Sequence, residues 1–68
     1  AYGNLASVYR DRGDLHRAEE MVLRSLAIEQ ELGRQDGIAS DYGNLGLIYQ
    51  RRGDLDRAEQ AIRKFLAI

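Results

Sequence analysis

Few residues in this chain could do chemistry, and most of them recur. His16 is the single histidine, and there is no cysteine. It stands beside Asp14 and Arg17, and Asp56 holds its place 40 residues later. A lone imidazole without a second nitrogen or thiolate ligand favours a solvated surface residue over a metal or catalytic one. Glu19 and Glu20 are adjacent carboxylates with arginines one helical turn away, the pattern of surface salt bridging rather than acid–base catalysis. The glycines of "YGNLG" follow no strand, which removes the context a phosphate-binding loop requires. No convergent catalytic set, metal site or cofactor site is expected.

Three further sets deserve placing. Arg10, Arg12, Arg51 and Arg52 cluster near the ends of two predicted helices, where they favour the C-terminal dipole and are also suited to gripping carboxylates. Asn4 and Asn44 stand mid-helix, where asparagine is a mediocre helix former. Tyr2, Tyr9, Tyr42 and Tyr49 share their spacing with Leu5 and Leu45, which marks them as core rather than a ligand stripe.

The elements that position these residues come in two copies. "YGNLASVYRDRGDL" from Tyr2 returns as "YGNLGLIYQRRGDL" from Tyr42, a period of 40 residues. Self-similarity at such a period is the signature of a stacked supersecondary unit. Tyr2, Leu5, Ala6 and Tyr9 lie at i, i+3, i+4 and i+7, one face of a helix. Ile38, Tyr42, Leu45, Gly46 and Tyr49 do the same in the second copy.

Each copy then reads "RGDL". Gly13 and Gly53 suit a left-handed helix end, and Asp14 and Asp54 suit the N-cap of the next helix. Arg17 and Arg57 stand where a capping box would place glutamate. The following helices carry Leu15, Ala18, Val22 and Leu26, and then Leu55, Ala58, Ile62 and Leu66, again on one face. Ala6 with Ala18, and Gly46 with Ala58, are expected to let paired axes approach closely, with Gly43 assisting. "ELGRQDG" supplies Gly33 and Gly37 for a stop and restart, with Asp36 as the expected N-cap. Were Gly33 helical instead, the second and third helices would fuse into one rod. The spacing predicts helices over 1–12, 15–32, 37–52 and 55–68, an all-α chain.

With Tyr, Leu and a small residue, Tyr, Gly-Asp, Ala and a later Leu, the chain resembles the tetratricopeptide repeat over essentially its whole length, twice in register. The usual period of that repeat is about 34 residues. The longer period here is similar to that of kinesin light chain and the Leu-Gly-Asn-rich polarity adaptors. The usual Pro is absent, with Gln30 near its place. Phe65 stands where the family carries a small residue and Ser25 does so in the first copy, so Phe65 is expected to face a further neighbour.

The resemblance implies helix-turn-helix units stacked as an α-solenoid of about two helix pairs, repeat one over 1–36 and a truncated repeat two over 37–68. It implies a non-enzymatic scaffold for protein–protein interaction, binding a peptide or helix on a concave face lined by the first helices. There Asn4 and Asn44 would read a bound backbone, with Ser7, Arg10, Leu47, Gln50 and Arg51 alongside. The alternative expectation is self-association, end to end or by helix exchange through Gly33–Gly37, using the uncapped Phe65, Leu66 and Ile68.

Composition agrees. A net charge of −1 is unlike the strongly basic domains that bind phosphate backbones. No apolar run nears the roughly 20 residues that span a bilayer. The absence of cysteine fits a reducing compartment, and a cytoplasmic location is expected. Both ends break the motif, so the chain reads as a piece of a longer array.

Overall fold

The computed structural model describes the backbone of residues 2–68 and the side chains of residues 5–68. Four helices follow one another: α1 (Tyr2–Asp11), α2 (Leu15–Leu32), α3 (Gln35–Arg51) and α4 (Leu55–Ala67). Each packs on its neighbour in sequence, and α1 also touches α3, giving a stack of two helix pairs.

The corners within the pairs form as the sequence predicts. Gly13 and Gly53 adopt φ of 84° and 78°, left-handed values that an L side chain resists. The amides of Asp14 and Asp54 then close back on the carbonyls of Tyr9 and Tyr49, each at 2.9 Å. In turn the carboxylates of Asp14 and Asp54 accept from the amides of Arg17 and Arg57 at 3.2 Å, satisfying a donor each helix start leaves open.

The corner between the pairs differs from expectation. Gly33 does take the left-handed value of 68° and ends α2, so the fused rod does not form. However, α3 begins at Gln35, and its N-cap is Arg34 in extended conformation with no side-chain cap bond. Asp36 lies inside the first helical turn, where its charge meets the helix dipole instead of capping it.

The core runs through Ala6, Ala18, Val22, Leu26, Leu45, Ile48, Tyr49, Ala58 and Ala61, with Tyr9, Leu15, Met21, Ile38 and Tyr42 packed against it. Ala6 and Ala18 are both buried, as their pairing requires. A Cβ on Gly46 would stand 2.9 Å from Ile62 Cγ1 and 3.8 Å from the Ala58 carbonyl oxygen, so this glycine does hold α3 close to α4. Gly43 is not needed in that way. Its Cβ would meet Phe65 at 3.5 Å, an ordinary contact.

Equivalent residues in the two copies differ sharply in exposure. Leu5 is 44% exposed and Leu45 4%; Ile62 is 42% exposed and Val22 0%. Val8, Leu55 and Leu66 are exposed as well, whereas Ile48 and Leu26 are buried. Periodicity sets which way a side chain faces, but burial needs a helix on the other side. Helix α2 covers the α3 residues and α3 covers those of α2; no described helix covers α1 or α4 in the same way. The expectation that Leu5, Leu55, Ile62 and Leu66 lie in the core is corrected accordingly.

Candidate protein-binding surface on α1 and α3

Residues 44, 47 and 51 lie three and four apart on α3 and share one face of it. That face meets the C-terminal end of α1. Arg10 donates from Nη1 to Asn44 Oδ1 at 3.4 Å, and Arg51 donates from Nη1 to the Arg10 carbonyl oxygen at 3.0 Å. Asn44 is therefore a cross-helix bridge. Arg10 is half-buried and also reaches Asp11 at 3.6 Å. Leu47 and Gln50 are exposed beside them, and Ser7 is partly buried on α1. All seven predicted groove residues, Asn4, Ser7, Arg10, Asn44, Leu47, Gln50 and Arg51, thus fall on α1 and α3. The side chain of Asn4 lies outside the described residues.

The basic cluster separates. Arg10 and Arg51 both bond across the junction of α1 with α3, whereas Arg52 is drawn to Glu19 of α2 at 2.8 Å. The surface therefore offers a mixed set, with an amide, a guanidinium already partly engaged and an exposed leucine. It can hydrogen-bond a peptide backbone and cover an apolar side chain.

His16 is exposed, and among the described residues no group of three metal-ligating side chains comes together. Phe65, Leu66 and Ile68 are all exposed at the end of α4. Phe65 lays its ring against Gly43, so it has an internal contact as well as an outward face.

A buried polar cluster between α2 and α3 escaped the sequence reading. Asp41 is only 4% exposed and accepts a 2.9 Å bond from the Ser25 hydroxyl. Burial pushes its carboxyl above the usual range, the Glu29 charge pushes the same way, and the Ser25 bond opposes them. Glu29 pairs with Arg34 at 3.3 Å through its buried Oε2, outside hydrogen-bond geometry. That carboxylate occupies the space a Cβ on Gly37 would need, so an alanine there would push the Glu29 side chain aside. One signal pointed to this cluster: Asp41 lies on the apolar stripe, three residues after Ile38 and four before Leu45. A carboxylate on a core face is either paired or functional.

No curated protein and no solved structure matches the chain. The family model for the tetratricopeptide repeat matches residues 1–68. With that match over its whole length and its two stacked helix pairs, the chain belongs to the tetratricopeptide repeat family.

Proposed function

We propose that this chain is a protein-interaction scaffold whose α1/α3 surface receives an extended peptide from a partner. Tetratricopeptide repeats generally mediate protein–protein interaction and are not catalysts. The observation carrying the reading is the Asn44–Arg10–Arg51 network, in which Arg10 holds Asn44 and Arg51 holds the Arg10 carbonyl, setting an amide and two guanidinium groups beside the exposed Leu47. Asn4, 40 positions before Asn44, extends the same line in the sequence. The 40-residue period favours the long-period branch of the family exemplified by kinesin light chain, with repeat one over 1–36 and repeat two over 37–68.

Peptides selected from a random library against the chain test this. Asn44→Ala and Leu47→Asp should each weaken the selected binders about tenfold, the scale of one lost hydrogen bond or one lost apolar contact. Unchanged affinity in both variants would retire the surface.

A second reading rests on a separate observation. Phe65, Leu66 and Ile68 are exposed on α4, whereas Leu26, the α2 counterpart of Leu66, is buried by α3. Helix α4 therefore presents a face of the kind that another helix covers on α2, and a second copy offers Leu5 and Val8 as the complement. Head-to-tail contacts of this kind do not close on themselves. Light scattering over a concentration series should show rising mass; a constant monomer mass would remove this reading.

A further inference from the structure

Behind α3, on the side away from Asn44 and Leu47, lies an open cleft of about 300 Å³. Tyr42, Leu45 and Tyr49 form its α3 wall, and Tyr42 is two residues before Asn44, about 200° around a helix. The cleft is therefore nearly opposite the α1/α3 surface. Leu23 and Leu26 of α2 bound one side, and Arg57, Gln60, Ala61 and Lys64 of α4 bound the other. Its floor is apolar: Leu26, Leu45 and Ala61 are buried. An engineered apolar cavity of about 150 Å³ admits a benzene molecule, so this cleft has room for a leucine or phenylalanine side chain.

Its rim is cationic. The Lys64 ammonium lies 5.4 Å from the centre of the Tyr42 ring and makes no ion pair with any described residue. Arg57 lies 5.9 Å from the Tyr49 ring and reaches Asp54 only at 3.5 Å, on the exposed surface. Among the described residues no carboxylate lines the cleft; Glu19, which bears on Tyr49 from α2, is already paired with Arg52 at 2.8 Å.

The first copy shows what this arrangement lacks. Arg24, at the position of Lys64, is neutralised by Glu20 at 3.1 Å. Gln60 replaces that glutamate in the second copy, and Ala61 replaces Met21. The second copy thus lacks both the internal counter-charge and the bulky side chain, and the result is an unpaired cation above an apolar hollow.

We infer that the cleft between α2 and α4 is a second docking site, for an acidic peptide segment that inserts one leucine or phenylalanine and sets a carboxylate against Lys64. The floor buries the apolar anchor, while Lys64 and Arg57 at the rim steer and orient the charged flank. Gln60 lies between the two cations and can hydrogen-bond the segment's backbone.

The test is a binding measurement on the whole chain. Fluorescein-labelled ten-residue peptides carry a central leucine flanked by glutamates, by glutamines, or by glutamates with alanine at the centre. Titration is followed both by anisotropy and by amide chemical shifts. The glutamate–leucine peptide should bind best, with shifts centred on Leu23, Leu45, Ala61 and Lys64. Lys64→Glu should weaken it about fivefold, in keeping with a rim charge, and Lys64→Arg should restore it. Ala61→Met should weaken it more than tenfold by filling the hollow, with circular dichroism confirming the fold. Three results would overturn the inference: no preference for the acidic leucine peptide, shifts confined to Asn44 and Leu47, or shifts that appear only as the chain self-associates. Loss of binding in Asn44→Ala with none in Lys64→Glu would assign the peptide to the α1/α3 surface instead.

Discussion

Deleting the same three carbons from Ile48 and from Ile62 should have very different costs. Ile48 is 1% exposed and Ile62 42%. Three buried carbons are worth about 2.4 kcal/mol in transfer alone at roughly 0.8 kcal/mol each. The enclosed void at Ile48 adds about 1 kcal/mol, giving about 3.5 kcal/mol for Ile48→Ala, inside the usual range for such deletions. At Ile62 a little over half of the transfer term applies, and an open site leaves no closed void, so Ile62→Ala should cost about 1–1.5 kcal/mol. The difference of about 2 kcal/mol is large against the few kcal/mol that a chain of this size holds in total.

Urea denaturation followed by far-ultraviolet circular dichroism measures both, with constant slopes confirming a shift in stability alone. Should Ile48→Ala lack a folded baseline, Ile48→Val and Ile62→Val replace the pair, at about 1 and 0.5 kcal/mol. Equal costs at low protein concentration would refute the argument that α4 is uncovered. Equal costs appearing only at high concentration would show a second copy covering it.

Gly43→Ala should stabilise the chain by about 0.5–1 kcal/mol, because the new methyl group meets Phe65 at ordinary contact distance and α3 loses a flexible residue; thermal melting should rise by a few degrees. Gly53→Ala should instead destabilise by about 1–2 kcal/mol, since φ is 78° there and an L side chain resists that conformation. Asp41→Asn should raise stability at neutral pH while keeping an acceptor for the Ser25 hydroxyl. The folded Asp41 carboxyl has a raised pKa, so its favourable protonated form is fully present below the unfolded value of 3.8 and is lost as pH rises through the folded value. The gap between variant and parent melts should therefore widen upward from pH 4. A gap independent of pH would remove the buried-charge argument.

What could be read beforehand follows from what is local. Gly13, Gly53, Asp14 and Asp54 act within four residues of themselves, so their spacing alone announces the corners. The apolar stripes announce the faces. Exposure of Leu5 and Ile62 depends on a helix beyond the pair, which no local pattern carries. Asp36 misled because an acidic residue suits both an N-cap and a first turn, and the choice depended on how the Gly33 corner delivers Arg34. Within the α1/α3 surface, residue types suggested Asn44 and Arg51, but the bond that joins Arg10 to Asn44 spans 34 residues. The cleft beside α4 was further from view, because it arises where the two copies differ, with Gln60 for Glu20 and Ala61 for Met21.

Arg17 and Arg57 replace the glutamate of a capping box, and their guanidinium groups each lie 5.9 Å from a tyrosine ring of the preceding helix. Each also reaches the aspartate that caps its own helix, at 3.5 Å. Every turn inside a pair is therefore fastened by the same glycine, aspartate, arginine and tyrosine, whatever stands on either side. The turn at Gly33 and Arg34 has no capping side chain, and a buried carboxylate lies in the interface that follows it. Within a pair the corner thus carries its own fastening, whereas the joint between pairs rests on the packing of α2 against α3.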